Sequence, residues 1–267
     1  MKFFVIILIF LNGCASTTLD TDSGVSRQQL LLLPKFIAKS MAVDAYKEAI
    51  RNAEKNNKLN NDIKQLDRVT KISNRLIDEV TIFREDAKEW KWEINVEDSE
   101  EVNAYCMPGG KIMVYSGLIK KVNATDDELA AVIGHEISHA LREHGRERMS
   151  TALLQQVGIL GFAAYIAEKG IYTNAAVQAV ALGTTLFFAL PNSREQEREA
   201  DKIGLELTAR AGYHPMAAVS LWRKMSELSE VDIPEFLSTH PSNENRIKDL
   251  SEHAKKINNL YEANKNK

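Results

Sequence analysis

Cysteine is nearly absent: the 267 residues hold two, Cys14 and Cys106. That leaves no disulfide framework, so the fold has to be held by packing or by a metal. No charge of one sign dominates either. The net charge is −3, acids and bases are mixed along the chain, and no basic stripe is present, which excludes a nucleic-acid partner. Long hydrophobic runs are missing as well. A membrane-spanning helix needs about 20 apolar residues. The apolar run near the start ends at Leu11, and the two stretches within 151–190, TALLQQVGILGFAAYIA and AAVQAVALGTTLFFAL, are shorter and carry Gln, Gly and Thr. These two are expected to pack on the domain as a helical hairpin, with contact to a membrane surface as the other reading. No internal repeat is visible. What is present is ordinary: 44% hydrophobic and 27% charged residues suit a globular chain with a buried core, with room for one good-sized domain or two small ones.

The first residues, MKFFVIILIFLNGC, carry one early charge (Lys2), an apolar run from Phe3 to Leu11 and a small residue before Cys14. This is the pattern of a secretory signal. Leu11-Asn12-Gly13-Cys14 resembles the bacterial lipobox, with Asn12 where a small residue is usual. The resemblance implies cleavage before Cys14 and lipid attached to it, hence a membrane partner. Ala15 in the next position resembles the outer-membrane class of lipoproteins, which implies the periplasmic face of the outer membrane. Plain secretion, with Cys14 a bystander, is the other reading. The stretch TTLDTDSGVS that follows is polar and small, as a tether would be.

From Pro34 to about Ala87 good helix formers dominate, and Leu66, Val69, Ile72, Leu76 and Val80 recur at steps of three and four, marking an amphipathic helix. A polar patch at Leu59–Asp62 separates it from an earlier helix over Pro34–Lys55. The period then changes. Trp90, Trp92, Ile94 and Val96 alternate with polar residues, as in a half-buried strand. Val102–Met107 and KIMVY flank Pro108-Gly109-Gly110, which predicts a hairpin and a small antiparallel sheet. Thr125 and Glu128 form a capping box ahead of Leu129, Val132, Ile133 and Ile137, so a helix is expected from Asp126 to His144, with Gly145 as its stop.

That helix contains HEISH. Residues four apart share a helix face, so His135 and His139 can each offer a nitrogen to one zinc ion. Glu136, rotated about 100° from His135, reaches a water there rather than the metal. Two ligands plus a general base is the metalloprotease arrangement. A third ligand must come from elsewhere, and SREQEREAD offers Glu195, Glu197, Glu199 and Asp201. Helical spacing pairs Glu197 with Asp201 and Glu195 with Glu199, and either pair can face the metal.

HEISHALREHG, EREAD and STHPSNENR together resemble the zinc metallopeptidases related to HtpX and the CAAX prenyl endopeptidases, within the gluzincin group. The likeness covers about 96–250 and is strongest to the exported lipoprotein members. It implies an α+β, mostly helical fold: a zincin-like catalytic domain with a small antiparallel sheet and an HExxH active-site helix. It implies one Zn2+ per chain, held by His135, His139 and Glu197, with Glu199 the runner-up, and Asp201 behind His135. His240 in THPS falls near the metal, to assist catalysis or to close the site, and Arg246 locks the loop or binds substrate. Asn103 and Ala104 fall on the edge strand that would pair with an extended substrate, implying loose sequence preference and unfolded or misfolded envelope proteins as substrates. His144, at the helix end where its charge suits the dipole, His214 and His253 read as structural, and Cys106 as a buried strand residue.

The expected division is a signal peptide over 1–13, a lipid-anchored tether over 14–33, an N-terminal helical region over 34–87, a metallopeptidase domain over 88–255 and a polar tail over 256–267. A competing class is a non-catalytic envelope lipoprotein that holds zinc and binds unfolded proteins; Glu136 argues against it, since a structural zinc has no use for a base. The short apolar segments argue against an integral-membrane prenyl-protein peptidase.

Overall fold

The computed structural model describes residues 14–167, 192–228, 234–240 and 244–267. A two-stranded ribbon pairs β1 (Cys14–Ala15) with β2 (Gln29–Leu30). Helices α1 (Lys35–Lys55) and α2 (Ile63–Ile77) follow, then two 3-10 turns (Val80–Ile82 and Glu85–Glu89) and strands β3 (Glu93–Glu97), β4 (Ala104–Met107) and β5 (Lys111–Tyr115). The remaining helices are α3 (Ser116–Lys121), α4 (Asp126–Leu141), α5 (His144–Ala167), α6 (Arg194–Arg210), α7 (Ala217–Leu228), α8 (Glu235–Thr239), α9 (Glu244–Lys256) and α10 (Asn258–Asn264). The fold is mostly helical, with one three-stranded sheet beside the two-stranded ribbon among the described residues. The expected signal sequence, and most of the apolar hairpin expected over 151–190, lie outside the described residues. No described helix is long and apolar enough to cross a membrane.

The break between α1 and α2 falls where the asparagine-rich patch predicts it. Asn57 and Asn60 take φ of 53° and 54°, which asparagine tolerates better than most residues, and Asp62 caps α2 by accepting from the Gln65 N–H at 3.1 Å. Val69, Ile72 and Leu76 point into the core as their spacing requires.

The hairpin β4–β5 forms as expected, but the sheet is not antiparallel throughout. Strand order is β3-β5-β4: β4 runs antiparallel to β5, whereas β3 runs parallel to it. The chain leaves β3, passes the position beside it and enters β4 at the far edge, so the returning β5 fills the centre and runs the same way as β3. Nor is the second face of the sheet open to water. Asn95, expected to face solvent, is buried and donates to Tyr46 Oη of α1 at 2.8 Å, and that hydroxyl donates to the Ile112 carbonyl at 2.9 Å. A helix laid across this face accounts for the departure from simple alternation.

Helix α4 starts at the predicted capping box, with Thr125 and Glu128 each satisfying the other's backbone N–H. It stops earlier than expected. Glu143, at φ 50°, turns the chain, and its carboxylate pairs with Arg84 and Arg146, both at 2.7 Å. Those ion pairs end α4 three residues before His144, and Gly145 lies inside α5 instead of terminating a helix.

Two glycines bring α4 and α6 unusually close. A Cβ on Gly204 would lie 2.9 Å from the His135 backbone nitrogen, and one on Gly134 would lie 2.9 Å from Thr208 Oγ1. The N-terminus of α6 is fixed by a second capping box, Ser193 with Gln196. The expected polar tail is folded: Ile257 is buried, α10 packs against α6, and the Asn264 carbonyl comes so near Gly212 (φ 75°) that no side chain fits there.

Residues 14–33 also lie on the domain rather than standing off it. Val25, Leu31, Ser23 and Gln29 are buried, and Thr21 Oγ1 and the Ser23 N–H both donate to Glu206 of α6, at 2.8 and 2.6 Å. The polar residues that suggested a solvated tether serve as hydrogen-bond partners for buried charges.

Candidate metal centre

The α4–α6 crossing sets two histidines against two acids. His135 Nε2 and His139 Nε2 are 3.0 Å apart, and Glu197 reaches both, with Oε2 3.4 Å from the first and Oε1 3.3 Å from the second. His240, at the end of α8, completes the group: its Nδ1 lies 2.9 Å from Glu197 Oε1 and 3.2 Å from His135 Nε2. One donor atom from each of these four buried residues falls within 4.8 Å of the others. Of the four acids in SREQEREAD, Glu197 is the one brought to the histidines. Glu195 pairs at the surface with Arg198.

Each helical histidine is backed on its other nitrogen. His135 Nδ1 lies 3.0 Å from Asp201 Oδ1, as the resemblance implies, and Arg246 grips Asp201 through two nitrogens, both at 2.7 Å. Arg246 also reaches Glu197 Oε2 at 2.7 Å and the His240 carbonyl at 3.4 Å, and lies over the Trp222 ring at 3.7 Å. It thus ties the loop residue to the acids. The backing of His139 is different. Its Nδ1 is 2.8 Å from His144 Nδ1, and His144 Nε2 is 2.9 Å from Glu199 Oε2. His144 is therefore not an exposed charge at a helix end; it is fully buried, and burial pushes its pKa well below the usual histidine value. The turn at Glu143 folds it back beneath His139.

The electrostatics favour a cation at the convergence. Burial alone would push the His135 imidazole down, but the Asp201 and Glu197 carboxylates override it and raise its pKa to about 9. Burial would also raise Glu197, yet His240 and Arg246 hold it well below the ordinary carboxylate range. His139 is held well below its usual value by burial, which keeps its lone pair free. Two imidazole nitrogens and a carboxylate aimed at one point are a fitting donor set for zinc.

Glu136 stands beside this cluster, not in it. Its carboxylate is buried, with Oε1 3.4 Å from His240 Nε2, and burial raises its pKa. Across from it, β4 is the outer strand of the sheet and packs next to α4. Tyr115 N–H donates to the Asn103 carbonyl at 3.0 Å, so the next pair, Ala104 with Val114, leaves the Ala104 N–H and C=O facing the open edge. The Asn103 side chain caps that N–H at 2.9 Å. Phe236 N–H of α8 donates to the Val102 carbonyl at 3.2 Å, closing the entrance to the strand. Cys106 is buried in β4, and burial pushes its thiol pKa well above the usual value.

The sequence profile of peptidase family M48 matches residues 64–254. The chain belongs to peptidase family M48. Curated relatives include the mitochondrial metalloendopeptidase OMA1 of Arabidopsis thaliana, 39% identical over 161 residues that cover 60% of this chain and 31% of that protein. The Saccharomyces cerevisiae OMA1 is 35% identical over 180 residues, 64% of this chain and 50% of its own. The β-barrel assembly-enhancing protease of Escherichia coli is 29% identical over 166 residues, 60% of this chain and 34% of its own. The chain thus spans half or less of the length of these relatives. M48 peptidases are zinc-dependent, and His135, His139, Glu197 and His240 are the residues here that suit zinc.

In this M48 member several site residues escaped sequence reasoning. His144 reaches His139 only through the turn at Glu143, and Arg142 and Arg27 meet at Glu199 behind it only because the N-terminal stretch docks there, both long-range features. Gly134 and Gly204 carried a weak signal: a glycine beside each ligand motif, inside a helix where it costs stability. His214 is structural as expected, its N–H donating to Asp127 and its Nδ1 accepting from Met216 N–H.

Proposed function

We propose that the chain is a zinc-dependent endopeptidase that cleaves unfolded or damaged proteins at the bacterial cell envelope. The observation that carries this reading is Glu136: a buried carboxylate one residue from a ligand, outside the ligand cluster, on the helix that packs against the outer strand β4. A site that only stored or stabilised with zinc would have no use for it. We assign His135, His139 and Glu197 as the residues that hold the ion.

When bound, zinc supplies positive charge that polarises a peptide carbonyl and acidifies water. Substrate lies extended along β4, where the Ala104 N–H and C=O pair with its backbone once the Asn103 amide swings aside. Glu136 takes the proton from the attacking water and delivers it to the departing amine. Asp201 and Arg246 hold the ring of His135, and Arg246 also draws in the His240 loop. In the arrangement described, His240 sits among the ligands and Phe236 covers the start of β4, so the site is closed.

The test is hydrolysis of casein by the purified chain. Cleavage is expected to stop on chelation, to return with added zinc, and to rise severalfold in His240→Ala. No cleavage in any of these states would favour the alternative, a zinc-holding lipoprotein that binds unfolded proteins without cutting them. A drop in the His240→Ala rate would mean that this histidine assists the reaction.

The setting is part of the proposal. Its support is the lipobox-like LNGC, the likeness of the three motifs to exported lipoproteins of the group that includes HtpX, and relatives named for β-barrel assembly. Lipid on Cys14 would then hold the chain at the periplasmic face of the outer membrane. Cys14→Ser should move the protein from the membrane fraction and abolish labelling by a palmitate analogue; an unchanged distribution would remove the anchor from the account.

A further inference from the structure

The N-terminal stretch and the metal centre meet in one buried polar network. His139 Nε2 faces His135 Nε2 at 3.0 Å and Glu197 Oε1 at 3.3 Å, so to hold a cation there it must carry a lone pair and no proton. The ring proton is then on Nδ1, 2.8 Å from His144 Nδ1. That nitrogen accepts only if His144 keeps its own proton on Nε2, 2.9 Å from Glu199 Oε2. One assignment satisfies every contact: His139 Nδ1–H donates to His144, and His144 Nε2–H donates to Glu199.

Glu199 is itself held from two sides. Arg142, with no exposed surface, donates to it from Nε at 3.1 Å, and Arg27 of the N-terminal stretch donates from Nε at 2.6 Å. Arg142 Nη2 also lies 3.0 Å from Glu199 Oε2, and among the described residues its remaining guanidinium contacts are to that stretch: Ser16 Oγ at 3.1 Å, Thr18 Oγ1 at 3.2 Å and the Arg27 carbonyl at 2.9 Å. Gln29, fully buried, donates to the Arg142 carbonyl at 2.5 Å, and Arg27 also pairs with Glu147 at 2.6 Å. Residues 16–29 therefore supply one of the two cations on Glu199 and the neutral oxygens that satisfy the other. A buried charge stripped of such partners is costly to keep in place.

We propose that this N-terminal stretch is a working part of the metal centre, holding Arg142 and Glu199 so that His144 fixes the metal-binding tautomer and ring orientation of His139. His144 is a positioning residue, acting through His139, and Arg27 acts one step further back. The geometry explains why polar residues of the expected tether are buried: they complete a chain of contacts that ends at a ligand. The inference rests on the zinc site proposed above.

Zinc affinity tests it without reference to proteolysis, using full-length protein and competition with a chromophoric chelator. His144→Leu and Arg27→Met should each weaken zinc binding about 10- to 100-fold, the usual cost of losing a partner behind a metal-bound histidine. His144→Gln should recover most of the loss, since its amide offers an acceptor and a donor. In zinc-free protein, ring 15N shifts of His139 should report a single Nδ1–H tautomer, becoming mixed in Arg27→Met. Asp22→Ala, which removes a surface pair with Arg210 2.8 Å away in the same stretch, should bind zinc as the parent does. If His144→Leu does not fold, Arg27→Met decides alone. Parental affinity and tautomer in folded Arg27→Met would overturn the relay and leave the zinc site standing. Absence of zinc binding by the parent protein would overturn both.

Discussion

Glu136→Gln is expected to retain zinc and to lose cleavage of casein. The amide keeps the size and shape of the carboxylate, so packing around it is preserved, but it cannot take a proton from water. Loss of a well-placed general base costs about 10²- to 10⁴-fold in rate. Retention of zinc follows from position: the carboxylate of Glu136 is not among the four side chains that converge. Its raised pKa, caused by burial, suits a group that must hold a proton and release it within one turnover. Rate and bound zinc should be measured on the same preparation. Cleavage above a tenth of the parental rate would mean that another group acts as base. Loss of zinc together with activity would make Glu136 a ligand and undo the assignment of roles.

What the sequence disclosed follows the range of the interactions involved. The capping boxes at Thr125 and Ser193, the break at Asn57–Asn60 and the amphipathic α2 are decided within a few residues, and the spacing of polar and apolar side chains reveals them. His135, Glu136 and His139 were legible for the same reason, since one helix sets their relation. Spacing leaves open which of the four acids of SREQEREAD faces the histidines. Glu197 is distinguished from Glu199 only because α6 crosses α4 at Gly204, which turns Glu197 to the histidines and Glu199 to His144 and Arg142. The parallel placement of β3 is likewise set by which strand fills the centre of the sheet, a choice that alternation does not encode. His144 shows the limit most clearly. Read as the last residue of a long helix it is a structural residue whose charge suits the dipole; once Glu143 turns the chain, the same residue lies buried against His139. The N-terminal stretch has the composition of a tether, and only Arg142, Glu147, Glu199 and Glu206, far away in sequence, give its polar groups buried partners.

Gly204→Ala should destabilise the protein and weaken zinc binding, although the same change on an open helix stabilises. In an exposed helix interior, alanine is favoured over glycine by about 1 kcal/mol. Here the new methyl would meet His135 N at 2.9 Å and its Cα at 3.0 Å. These are backbone atoms of a packed helix and cannot rotate away, so the helices must part. Overpacking of this kind costs about 1–3 kcal/mol, enough to cancel the propensity gain and reverse its sign. The crossing point also fixes the metal site, because His135 and His139 lie on one helix and Glu197 and Asp201 on the other. Metal-free protein can relax the clash by letting the helices separate; zinc would pull them together again, so binding bears the strain, at about tenfold in affinity per 1.4 kcal/mol. Gly134→Ala gives the comparison. Its methyl first meets Thr208 Oγ1, a side-chain atom, and only then the Gly204 carbonyl at 3.2 Å, so its effect should be the smaller of the two. Thermal unfolding with and without zinc, combined with chelator competition, reads both quantities. Parental stability and affinity in Gly204→Ala would mean that the two helices do not need this close approach to assemble the site.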